Sequence, residues 1–127
     1  MPDLPKTERI LLDITDDWLT ISFNHLESRN ALSQQLTDEI RLTLKSIQSD
    51  KTIRGITFRG EGGIFCAGGD LKSFKSGLQG DNSNLADVEK MSESTGEFFE
   101  LINTIPVPVI MLAEGAAMAG GLGMLCA

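Results

Sequence analysis

Twice in this chain an apolar, β-prone run passes through a cluster of glycines into a stretch with helical spacing, and this repeated junction limits the fold more than any other feature. The first is Ile64-Phe65-Cys66-Ala67-Gly68-Gly69-Asp70-Leu71-Lys72. The second follows the apolar run Val107–Ala113 as Glu114-Gly115-Ala116-Ala117-Met118-Ala119-Gly120-Gly121-Leu122-Gly123. A residue without Cβ lets the chain turn tightly and lets a ligand approach the main chain. The first N–H groups of a helix have no internal partner and suit a negative or polarised oxygen. One such junction is more often plain turn geometry. Two of them can set two groups of N–H donors on one side of a sheet, where open α/β folds bind ligands.

The rest of the chain reads as elements that position those turns. Arg9–Thr15 and Trp18–Asn24 are short β-prone runs around Asp16-Asp17, which predicts a hairpin with a tight acidic turn. Asn24–Asn30 is polar loop. Leu36, Ile40, Leu44 and Ile47 recur at helical spacing within Leu32–Ser49, with Ser33 placed to cap the start. Ile53–Arg59 alternates as a strand and runs through Gly60-Glu61-Gly62-Gly63 into the first junction. A helix is expected from Leu71, a loop or insertion over Ser76–Ala86, and a second amphipathic helix over Val88–Ile105, ended by Pro106. Val107–Ala113 is nearly continuous in apolar residues, as expected of a buried parallel strand.

Composition excludes several functions. With 127 residues and 41% hydrophobic content the chain can bury a core. Its formal net charge of −7, without any basic run, speaks against nucleic acid and anionic membrane surfaces. No signal-like segment opens the chain, and Glu114, two prolines and the glycines interrupt the apolar stretch Ile105–Ala127 against a membrane span. Cys66 and Cys126 have no metal-ligand spacing and read as reduced, buried and structural, in a cytoplasmic setting. His25, the single histidine, falls in a loop and reads as exposed rather than catalytic. Trp18 and the pair Phe98-Phe99 read as core, and Glu93, Glu97 and Glu100 as a solvated helix face. The final run Gly123-Met124-Leu125-Cys126-Ala127 is apolar and uncapped, so more protein is expected after it.

Three motifs in one order, Ser28-Arg29-Asn30-Ala31-Leu32-Ser33, Phe65–Lys72 and Gly115–Gly121, resemble the crotonase superfamily of enoyl-CoA hydratases and isomerases. The resemblance implies an α/β fold, a spiral of ββα units, of which residues 1–127 form the N-terminal part, truncated before a C-terminal helical region. It implies an acyl-CoA thioester as substrate and an oxyanion hole built from the backbone N–H groups of Gly69 and Gly120. It places coenzyme A near Arg29, Asn30, Ala31, Ala67, Gly68, Asp70, Leu71 and Lys72. It implies no metal and no separate cofactor, since coenzyme A arrives with the substrate, and a homotrimer or hexamer.

One departure matters. Hydratases of this kind usually carry a glutamate three residues after the second oxyanion glycine, and that position here is Gly123. A glycine cannot act as acid or base. The expected activity is hydration of an unsaturated, branched acyl-CoA of the isohexenylglutaconyl type. The alternatives are an enoyl-CoA isomerase using a single carboxylate beyond residue 127, or a CoA-thioester-binding protein without catalysis.

Overall fold

The computed structural model describes residues 3–69 and 85–127. The expected helix from Leu71 and most of the expected loop over Ser76–Ala86 lie outside the described residues.

The first hairpin forms where the sequence puts it. β1 (Ile10–Thr15) pairs antiparallel with β2 (Trp18–Phe23), Thr15 facing Trp18 across the turn. Asp16 and Asp17 both take positive φ, 52° and 65°, a conformation that short acidic residues tolerate and that matches the twist of a two-residue hairpin. The chain then crosses through α1 (Gln34–Gln48) to β3 (Gly55–Gly60), which runs parallel to β2. The Ser33 side chain accepts the Leu36 N–H at 3.2 Å, capping α1 as its position in the sequence predicts. α2 (Leu85–Thr104) leads to β4 (Val109–Leu112), parallel to β3, and α3 (Gly120–Cys126) follows. The sheet order is β1-β2-β3-β4.

The period of the strands decides which face is core. Ile10, Leu19, Ile21, Phe23, Ile56 and Phe58 project to one side and are fully buried. α1 lays Leu36, Ile40, Leu44 and Ile47 into the same core, and α2 adds Phe98 and Ile102. Burying a residue of this size contributes about 1.5–3 kcal/mol, so the helix faces and the sheet hold each other rather than standing alone. Phe65 joins Phe23 edge-on at 5.2 Å between ring centroids, which anchors the first junction to the sheet. Arg41 ties the two long helices: its guanidinium donates to the Ser94 carbonyl and hydroxyl at 2.8 Å and lies over the Phe98 ring.

Four expectations are corrected here. β4 is parallel as expected but only half covered, because it is the last strand in the sheet order and its Ile110 and Leu112 point away from the core. Cys126 is exposed on α3, whereas Cys66 is buried. Trp18 is half-buried rather than core, because its indole lies across Gly55 on the opposite face of the sheet and donates to Thr57 Oγ1 at 2.8 Å. Phe98 is core as expected, and Phe99 is half-buried.

Candidate functional site

Beyond the C-terminal end of β3 three short segments lie side by side. Ala67 donates to the Arg29 carbonyl at 3.0 Å, and Leu32 donates to the Gly68 carbonyl at 2.7 Å. On the other side, Phe65 and Cys66 donate to the Ala116 carbonyl at 3.1 Å, and Met118 donates to the Cys66 carbonyl at 3.0 Å. The parallel bridges Leu32–Gly69 and Cys66–Ala117 set the register. The three sequence motifs thus become one small parallel layer, with the Phe65–Gly69 segment in its middle.

The direction of the Gly69 N–H follows from this register. The described backbone contains no cis peptide, so the Gly68 carbonyl and the Gly69 N–H point in opposite directions within their shared peptide plane. The carbonyl faces Leu32; the N–H therefore faces the flank where Gly120 lies. There Gly68 has φ +102°, and a Cβ built on it would stand 3.5 Å from the Gly120 nitrogen and 2.9 Å from the Met118 carbonyl. Only glycine fits so close an approach. Gly121 is equally constrained, since a Cβ there would run into the Cys66 carbonyl. Among the described residues neither the Gly69 nor the Gly120 N–H has an acceptor, and both glycines are half-buried.

The turn into α3 is strained. Ala119 has φ 48° and ψ −113°, and Gly121 donates back to the Met118 carbonyl at 2.7 Å. That is a type II′ turn with alanine where glycine is favoured.

The remaining predicted residues separate by role. Arg29 is exposed, in the left-handed region with φ 55°, and gives its carbonyl to the layer. Ala31 is buried and Ala67 half-buried. Asn30 is fully buried and its side chain is committed to the protein: Oδ1 accepts the His25 N–H at 2.9 Å, and Nδ2 donates to the carbonyls of Ile64 and Glu61 at 2.9 and 3.2 Å. It clamps the first motif to the second, so only its backbone remains for a ligand. Asp70, Leu71 and Lys72 lie outside the described residues. His25 pairs locally with the Ser28 hydroxyl at 2.8 Å. Burial pushes the Cys66 thiol above its ordinary pKa, with a hydrogen bond from the Gly68 backbone acting the other way. At position 123 there is no side chain, and Phe99 fills that space: a Cβ there would lie 3.1 Å from its ring.

A buried carboxylate escaped the sequence reading. Glu39, on α1, accepts the N–H groups of Glu8 and Arg9 at 2.8 Å and so fastens the segment leading into β1. No sequence signal distinguishes it from the solvated glutamates. A cleft lined by Ile47, Asp50, Lys51, Ile105 and Val107 opens beyond the N-terminal end of β3, away from the layer. The Asp50 carboxylate there is held below its ordinary pKa by the Thr52 hydroxyl and N–H.

A strand–turn–helix layer of this build, with paired glycine turns against a parallel sheet, is that of the crotonase-type α/β fold. The chain belongs to the enoyl-CoA hydratase/isomerase family, whose model matches residues 14–127. A probable enoyl-CoA hydratase of Bacillus subtilis is 33% identical over 112 residues, which cover 88% of this chain and 42% of that protein. The mouse mitochondrial methylglutaconyl-CoA hydratase is 31% identical over 110 residues, covering 86% of this chain and 33% of that protein. Among solved structures, Pseudomonas aeruginosa AtuE superposes with a TM-score of 0.87 at 31% identity, over 94% of this chain and 45% of that one. The chain spans less than half the length of these relatives.

Proposed function

We propose that this chain supplies the carbonyl-polarising half of an enzyme that hydrates an unsaturated acyl-CoA. The observation that carries the reading is the pairing of the two glycine turns. The Gly68 turn lies against the Gly120 nitrogen, and neither the Gly69 nor the Gly120 N–H is used by a described residue. A thioester oxygen placed between them gains negative charge as an enolate forms at the neighbouring carbon. Donors fixed in advance stabilise that charge without reorganising, by roughly 3–4 kcal/mol each. Coenzyme A would lie along Arg29, Asn30, Ala31, Ala67 and Gly68, meeting Asn30 through its backbone, with Asp70 and Leu71 beside it and the cations of Lys72 and Arg29 close to its phosphates. No separate cofactor is required. A branched acyl group is supported by the likeness to methylglutaconyl-CoA hydratase.

Gly123 shapes the alternatives, because it leaves the α3 face next to Gly120 without a carboxylate. We assign proton transfer to a carboxylate in the part of the relatives that this chain does not span. With one such group the protein would isomerise enoyl-CoA; with none it would bind the thioester without turnover. The test is the intact protein carrying Gly69→Pro, which removes one donor. Turnover of enoyl-CoA thioesters should fall about 10²–10³-fold in kcat with the circular dichroism unchanged. Undiminished kcat would show that Gly69 does not hold the oxygen.

A further inference from the structure

Phe99 packs against the start of α3, beside one of the two candidate oxyanion glycines. Gly120 and Gly123 are about one turn apart on α3 and share a face, about 4.5 Å along its axis. The Phe99 ring packs onto that face at Gly123, with Cε2 and Cζ each 3.1 Å from where a Cβ would sit. Its neighbour Phe98 turns into the core, the two rings 5.8 Å apart, while Phe99 is left half-buried. An aromatic face one helical turn from a candidate oxyanion donor offers no hydrogen bond, so it recognises hydrocarbon.

We propose that Phe99, held against the bare helix at Gly123, sets the size of the acyl group that the site accepts. The inference rests on the oxyanion reading of Gly120 given above. The absence of a side chain at 123 lets the ring lie close. Any added atom there must push the ring away from α3 by a few tenths of an ångström. Removing the ring opens the space instead. The two changes therefore move selectivity in opposite directions, which a loss of packing alone does not do.

The experiment compares the intact protein with Phe99→Ala, Phe99→Leu and Gly123→Ala variants, measuring kcat/KM for short, medium and long straight-chain enoyl-CoA thioesters. Phe99→Ala should raise the long-to-short ratio about tenfold or more, the scale of one or two methylenes in an apolar pocket. Phe99→Leu should raise it less, and Gly123→Ala should lower it. Thermal melts identify variants that are merely unstable, and the ratio is read per folded molecule. Ratios that stay at the wild-type value in all three variants would overturn the assignment of Phe99 while leaving the oxyanion reading intact. Wild-type protein that neither binds nor converts any acyl-CoA would overturn both.

Discussion

The four-stranded sheet and the small layer beside it are held by opposite means. In the sheet, large apolar side chains such as Phe58, Ile21 and Ile56 fill the space under helix faces, and the backbone follows regular register. In the layer beyond Phe65, the middle segment carries small side chains or none, and what holds the segments together is main-chain hydrogen bonding plus one buried amide, Asn30. The difference teaches that a sheet core absorbs a change of shape by repacking, whereas a layer in which backbone touches backbone has nothing that can move aside.

That contrast can be broken in order of expected size. Adding one methyl at Gly121 should destabilise the intact protein by about 3 kcal/mol, because the new carbon meets the Cys66 carbonyl rather than a pliable side chain. Asn30→Ala should cost about 2–3 kcal/mol by leaving the Glu61 and Ile64 carbonyls and the His25 N–H without their partner. Phe58→Leu, which removes more atoms than Gly121→Ala adds, should cost only about 1 kcal/mol. Urea unfolding of the three variants checks the ranking; a Phe58→Leu loss larger than that of Gly121→Ala would erase the distinction. Ser33→Ala removes the cap of α1 and should cost about 0.5–1 kcal/mol by the same measurement.

The smallest effect concerns Cys66. Its folded pKa is raised by burial, so the folded state favours the thiol. The stability from this group is complete below the unfolded thiol pKa and is lost as pH rises through the folded one. Alkylation at mildly alkaline pH should therefore be slow in the folded protein and fast once it is unfolded. Equal rates would place the thiol at the surface.

The sheet was legible in the sequence wherever a local signal reports a local cause. Asp16-Asp17 between two β-prone runs is enough to specify a hairpin turn, and Ser33 ahead of Leu36 and Ile40 is enough to start a helix. The layer was legible through its glycines, because close approach leaves a mark in composition. The failures share a different origin. Burial at Cys126 and along β4 depends on what packs against them, which an apolar run does not state. Glu39 and Asn30 look like surface residues until the chain brings the N–H groups of Glu8 and Arg9, or the carbonyls of Glu61 and Ile64, to meet them. Phe99 read as core because its partner, Gly123, is marked only by the absence of a side chain.

The stitching of the layer also bears on the order in which the molecule folds. The β1–β2 hairpin closes over two residues, but the layer joins Arg29 to Ala67 and Cys66 to Ala117. Loop-closure entropy makes such distant pairings late events. Residues of the layer should then contribute little to the folding nucleus, so that Asn30→Ala speeds unfolding and barely slows refolding, a partition that stopped-flow kinetics reads directly. The nascent protein would acquire its β1–β2 hairpin first and its chemistry later, together with the parallel pairings of β3 and β4.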